Sequence, residues 1–336
     1  MSGTPWLTGS REAWLGEATE WIGATVDAVG LGPRVEVTPI RERVWGAVLR
    51  VVTSDRVLFF KAEGPGAGHE PVIVADIAAA HPQLVPDLLA ADLERGWLLM
   101  ADHGSPMWDS VDPSGEIEIW EQIFPAYARM QSVSAPNIQR WIDAGTPDRR
   151  LHVLPTLVDS LLAGGGVPLD HDRRRAIDAA LPDLANVCDE LATTGFAQSI
   201  DHSDMHGGNV LIGRGMPRLV DWGDACITHP FTSPFVTYQH TVAKLPASDR
   251  PAATRRLRDA YLDAWSEKAS PDDLRDVFAK ATWLGHLIRA LNFAHQLGDP
   301  SEWGEAVATF LVRWEQQRAL LGRDDELILA VASQVE

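Results

Sequence analysis

Residues Ser199–Asp224 read SIDHSDMHGGNVLIGRGMPRLVDWGD, a run that sets polar chemistry between short apolar segments. Ser199-Ile200, Asn209 to Ile212 and Arg218 to Val220 have the composition of strands, and Gly213-Arg214-Gly215-Met216-Pro217 turns the last two into a hairpin. Inside the run, His202, Asp204 and Asn209 form H-x-D-x-x-x-x-N, with a Gly207-Gly208 turn able to fold Asn209 back toward Asp204. Asp221 ends the second strand of the hairpin, after Leu219-Val220. Taken singly, an aspartate before a glycine turn is a turn former, and an asparagine after two glycines is a cap. Their joint spacing points instead to chemistry. Phosphoryl transfer needs a carboxylate to accept the proton of the acceptor hydroxyl, and an amide with a second carboxylate to hold Mg²⁺ on the phosphates. Asp204, Asn209 and Asp221 supply those groups in that order.

Working outward toward the N-terminus, Trp14, Ala18, Trp21, Ile22, Thr25 and Val29 recur at helical spacing after Ser10, and Gly30 to Pro33 ends that helix. Val35 to Val37 alternates, and Val48 to Thr53 and Val57 to Lys61 are β-rich runs about the turn Ser54-Asp55-Arg56, which predicts an antiparallel meander. A mobile Gly64 to Gly68 connection leads to a helix over Glu70–Ala80, stopped by His81-Pro82. Strands are expected at Leu84–Leu89 and Trp97–Ala101, and the break at Asp102 to Pro106 marks a domain boundary. Beyond it helical patterns dominate, as in Trp120, Ile123, Phe124, Tyr127 and Gln131. The reading is an α+β chain with a β-rich N-lobe over 1–102 and a larger helical C-lobe over 103–336.

The 199–224 segment, read with Lys61 at the end of VLFFK, resembles the catalytic loop, metal-binding turn and lysine strand of aminoglycoside phosphotransferase-like small-molecule kinases, a family that includes choline and fructosamine kinases. That resemblance implies a bilobal protein-kinase-like fold and ATP-dependent, Mg²⁺-supported transfer of the γ-phosphate. The acceptor would be a hydroxyl on a small polar molecule of the aminoglycoside or amino-sugar kind. Asp204 would be the catalytic carboxylate, Asn209 and Asp221 the Mg²⁺ ligands, and Lys61 the residue that pairs with the α and β phosphates. A lysine at a strand end needs a buried partner, and Glu70 is the first choice, with Glu63 and Asp76 as rivals. Leu98 to Asp102 resembles the interlobe hinge, so the backbones of Met100 and Asp102 are candidates for the adenine edge. No G-x-G-x-x-G occurs, and Gly46 stands alone between Trp45 and Ala47. Asp224 is a candidate for a substrate amine. His286, Arg289, Asn292 and Gln296 give a late helix a polar face able to reach substrate, although such a face reads more simply as solvated.

Two other readings compete. His202, Asp204 and His206 spell H-x-D-x-H, which could ligate a metal and support hydrolysis, leaving Asn209, Asp221 and Lys61 without a role. A kinase-fold module that binds nucleotide without catalysis would be expected to have lost one member of the Lys61, Asp204, Asn209 and Asp221 set.

Composition bounds these readings. The chain of 336 residues exceeds what one core usually supports, and 45% hydrophobic with 23% charged residues fits an ordinary globular protein. A formal net charge of −18 repels phosphate backbones and anionic lipid, so nucleic acid and membrane are not expected partners. Cys188 and Cys226 are too few for a disulfide framework, and with no basic or apolar leader pattern in MSGTPWLTGSREAW the expected location is the cytoplasm. Nothing in the sequence bears on oligomeric state.

Overall fold

The structure, a computed structural model, describes residues 4–333. The chain forms two compact units. The first runs through Ser105 and takes in two short later segments, Asp143–Thr146 and Leu211–Gly223. The second comprises Pro106–Ile142, Pro147–Val210 and the chain from Asp224 onward.

The first unit is a helix on a twisted sheet. Helix α1 (Arg11–Ala28) precedes strands β1 (Arg34–Arg43), β2 (Gly46–Thr53) and β3 (Val57–Glu63); helix α2 (Glu70–Ala80) then leads to β4 (Leu88–Asp92) and β5 (Trp97–Ala101). The sheet order is β1-β2-β3-β5-β4, antiparallel throughout. Side chains alternate across a strand, so Leu58, Phe60 and Ala62 of β3 face one side and join Trp14, Ala18, Ile22 and Val26 of α1 in a closed core. Phe60 meets Trp21 and Trp97 edge to face at 5.8 and 5.4 Å; full burial of one such ring contributes about 2–3 kcal/mol. The same alternation turns Lys61 to the opposite side, in register with Val48 and Leu98. Two expectations are corrected. The Val35–Val37 alternation is part of a longer strand, and the strand expected over Leu84–Leu89 forms later, at Leu88–Asp92. Leu84 and Val85 are buried without strand structure, and the Leu84 carbonyl accepts from the Leu219 amide at 2.7 Å.

The second unit is largely helical, with α3 (Pro113–Ser132), α4 (His171–Thr193), α5 (Pro271–Leu297) and α6 (Pro300–Gln317) its long elements. Each of the first three starts on a side-chain cap, as Asp112, Asp170 and Ser270 accept from the amides of Gly115, Arg173 and Asp273. Between α4 and α5 lie β6 (Ser199–Asp201), the hairpin strands β7 (Val210–Ile212) and β8 (Arg218–Leu219), and β9 (Cys226–Thr228). Strand β9, which the sequence did not suggest, pairs antiparallel with β6, Cys226 opposite Asp201. Every residue of α5 from Ala281 to Asn292 is buried, the mark of a central helix. Among the described residues no helix is long and apolar enough to cross a membrane.

Candidate active site

In the first unit, the chemistry gathers on Lys61. Its Nζ lies 2.5 Å from Glu70 Oε2, 2.7 Å from Asp221 Oδ1 and 3.0 Å from Glu63 Oε1. Burial disfavours the ammonium, yet Asp221, Glu63 and Glu70 outweigh it and hold the lysine well above its ordinary pKa. Glu70 opens α2, where the helix dipole favours a carboxylate. Its second oxygen accepts from the Trp222 amide at 3.1 Å, so one side chain ties the lysine strand to the turn after β8. Asp221 sits in that turn with φ of 67°, a left-handed backbone that a non-glycine residue adopts only when its surroundings hold it there. Its Oδ2 lies 3.3 Å from Arg41 Nη2. Both Glu70 and its rival Glu63 therefore reach Lys61.

In the second unit, Asp204 is the hub. Asp201 closes β6 and accepts from the Ser203 amide at 2.8 Å and from the hydroxyls of Thr232 and Ser233 at 2.6 and 2.8 Å. These bonds hold Ser203 in a left-handed turn, φ 60°, that presents Asp204. The buried His202 accepts the Asp204 amide on Nδ1 at 3.3 Å and so helps fix the backbone of the loop. Asn209 folds back as its position after two glycines suggests, donating from Nδ2 to Asp204 Oδ2 at 2.9 Å and to the Asp204 carbonyl at 3.1 Å. His206 takes the Gly208 amide on Nδ1 at 3.0 Å, which leaves its ring proton on Nε2, 3.3 Å from Asp204 Oδ2. Arg289 of α5 completes the set. It reaches Asp204 Oδ1 and Asp224 Oδ2 at 3.1 Å each, and donates to the Ser203 carbonyl at 2.7 Å. Burial works against ionisation of Asp204, but Arg289 and His206 hold its carboxyl far below the usual carboxylate range.

Trp108 covers the loop from above. Its ring stacks on His206 with centroids 4.5 Å apart and 12° between planes. A Cβ on Gly207 would lie 2.3 Å from Trp108 Cδ1, so the first glycine is required by close approach of the indole.

Met100, Asp102, His286 and Asp224 are the other expected site residues. Met100 is nearly buried near the end of β5. Asp102 follows it with its amide donated to the Val57 carbonyl at 3.2 Å and its carboxylate accepting from the Gly104 amide at 2.9 Å, so that amide is not available to a base. His286 is fully buried between Phe235 and Phe310, 3.2 Å from Gln317 Oε1, which corrects its reading as a substrate contact. Asp224 is likewise engaged, its carboxylate on Arg289 and its carbonyl accepting from Asn292 Nδ2 at 3.0 Å. His286, Arg289 and Asn292 of this face are thus buried rather than solvated, and Arg289 and Asn292 hold Ser203, Asp204 and Asp224. Sequence reasoning placed Arg289 on that face without its role, and it missed Arg41 and Trp108, for which no local pattern gives a signal.

The donor sets decide between metals. Among the described residues no group of three His, Cys, Asp or Glu side chains is arranged to hold an ion, and His202 turns its Nδ1 to a backbone amide, so the H-x-D-x-H reading fails on geometry. Around Lys61 three carboxylates face two cations, Lys61 and Arg41. Asp221 is the one carboxylate of the three with exposed surface, and burial with the neighbouring Glu70 raises the pKa of Glu63. The carboxylate of Asp221 and the amide of Asn209 are oxygen donors of the kind a hard divalent cation takes.

A five-stranded antiparallel sheet carrying this lysine, followed by a largely helical region, is the kinase-like class of fold. The chain belongs to the phosphotransferase enzyme family (APH), which it matches over residues 36–276. It is 28% identical over 218 residues to an N-acetylmuramate/N-acetylglucosamine kinase of Pseudomonas aeruginosa, a match over 64% of this chain and 56% of that protein. The chain therefore spans little more than half the length of this curated relative. Among solved structures it resembles a choline kinase from Cryptosporidium parvum, with TM-score 0.60, 14% identity and 94% and 99% of the two chains covered. It also resembles an APH enzyme in complex with GDP and kanamycin, with TM-score 0.58, 13% identity and 90% and 99% covered.

Proposed function

We propose that this protein transfers the γ-phosphate of ATP to a hydroxyl of a small sugar-like acceptor, an amino sugar being the first class to test. The observation that carries the reading is the pairing of Asp204 with Asn209 across the Gly207-Gly208 turn at 2.9 Å, in a family whose members are phosphotransferases. The name of the Pseudomonas relative supports the choice of acceptor.

Asp204, kept ionised by Arg289 and His206, accepts the hydroxyl proton as the acceptor oxygen bonds to the γ-phosphorus; the bond to the bridging oxygen breaks and ADP leaves. Mg²⁺, when bound, neutralises charge on the phosphates. We assign Asp221 of the first unit and Asn209 of the second as its ligands, and Lys61 to the phosphates, positioned by Glu70.

An ADP-release assay with N-acetylglucosamine and N-acetylmuramate tests the reading. Acceptor-dependent, Mg²⁺-dependent ADP release is expected. Its absence over a panel of sugars, aminoglycosides and amino alcohols, together with no ATP-induced thermal stabilisation, would refute it.

A further inference from the structure

We propose that Arg41 is a phosphate-binding residue for the nucleotide, performing with its guanidinium what a glycine-rich loop performs with backbone amides. The inference rests on the ATP reading above and concerns residues of the first unit alone.

The turn between β1 and β2 is built unlike a phosphate cradle. Gly46 is its lone glycine, and the turn is pinned from below: the Gly64 amide donates to the Trp45 carbonyl at 2.9 Å. A Cβ on Gly64 would lie 2.4 Å from the Val44 carbonyl oxygen, so the two backbones touch. A turn held this way has lost the freedom of a glycine loop to wrap its amides around a polyphosphate.

Arg41 compensates from the strand just before that turn. The β1–β2 register breaks between Pro39 and Arg41, and such a bulge re-aims the side chains beside it. The Arg41 guanidinium ends 3.3 Å from Asp221 Oδ2, while Lys61 Nζ holds Oδ1 of the same carboxylate at 2.7 Å. Two cations thus bracket the carboxylate assigned to the metal. Their settings differ: Lys61 is 8% exposed and locked by three acids, whereas Arg41 is 44% exposed with Asp221 as its partner. An exposed pair of this kind is worth little and costs little to break. Arginine also presents a planar fork suited to phosphate oxygens. In a chain of net charge −18, a polyphosphate approaches against the field of the protein, which raises the value of an exposed cation where it docks.

Calorimetric titration of ATP, ADP and adenosine, each with Mg²⁺, into wild-type protein and Arg41→Ala, Arg41→Lys and Arg11→Ala variants tests this. Arg11 is an equally exposed arginine paired with Glu42 and controls for loss of one charge. Arg41→Ala is expected to weaken ATP and ADP binding about tenfold or more and to leave adenosine unchanged. Arg41→Lys should recover part of the loss, and Arg11→Ala should lose nothing. Unchanged ATP and ADP affinity in Arg41→Ala would overturn the proposal. So would tighter ATP binding, which would make the Arg41–Asp221 pair a clamp that nucleotide must displace. A wild-type protein that binds neither adenosine nor ATP would remove the kinase reading and this inference with it, whereas wild-type binding with an indifferent Arg41 removes the inference alone.

Discussion

Asp204 is held by Asn209 and His206 at Oδ2 and by Arg289 at Oδ1, so its substitution by the isosteric amide separates chemistry from structure. Asp204→Asn keeps the shape and removes the proton acceptor; kcat should fall at least about 10²-fold while the affinity for ATP measured by titration stays unchanged. Arg289→Ala leaves the partly buried carboxylates of Asp204 and Asp224 without their shared cation, a loss expected to cost about 2 kcal/mol in urea denaturation, with Arg289→Lys intermediate. His286 gives a pH signature of its own. Burial pushes its pKa down to about 3, against about 6.5 in an unfolded chain, so below pH 6.5 the unfolded state takes up a proton that the native state refuses. The stability that depends on a neutral His286 is complete above pH 6.5 and is lost as pH falls toward 3. Between pH 6.5 and 5 the melting temperature of His286→Gln should therefore fall less steeply than that of the wild type; equal slopes would show that His286 does not titrate this way.

At the scale of elements, the sequence disclosed what short-range pattern controls. The β-rich run Val57 to Lys61 placed Lys61 on a strand, and the glycine-rich connection before Glu70 with the stop at His81-Pro82 gave α2 with its bounds. The spacing of Asp204 and Asn209 about two glycines foretold their hydrogen bond. What escaped depends on contacts between distant parts of the chain. The face of α5 bearing His286, Arg289 and Asn292 reads as polar in any window, and it becomes buried because Ser203 and Asp224 supply a carboxylate and carbonyls to Arg289 and Asn292 while Gln317 meets His286. Strand β9 is three residues long and exists through its pairing with β6. Trp108 lies in a segment without periodicity, and its place over the glycine turn follows from tertiary packing. That packing is testable: Gly207→Ala should cost about 1–3 kcal/mol through collision with the indole. Trp108→Ala in the same chain should return part of it, a coupling read from a double-mutant cycle of unfolding free energies.

Across the whole molecule, the residues assigned to the nucleotide phosphates, Lys61, Glu70 and Arg41, belong to the first unit, and those assigned to the acceptor hydroxyl belong to the second. Nucleotide alone should accordingly stabilise the first. At about 100 times its dissociation constant, ATP with Mg²⁺ adds about 2.7 kcal/mol to the form that binds it. Hydrogen-exchange protection should rise in Val57–Glu63 and Glu70–Ala80, and Lys61→Ala should abolish the rise. The central claim is that Asp204 carries phosphoryl transfer to a sugar hydroxyl. It is tested most directly by following ³¹P spectra of ATP, Mg²⁺ and N-acetylglucosamine or N-acetylmuramate with the wild type and with Asp204→Asn. The account predicts that the wild type gives ADP and a new phosphomonoester resonance while the variant, with its ATP affinity intact, gives neither. Equal phosphomonoester formation by both proteins would contradict it.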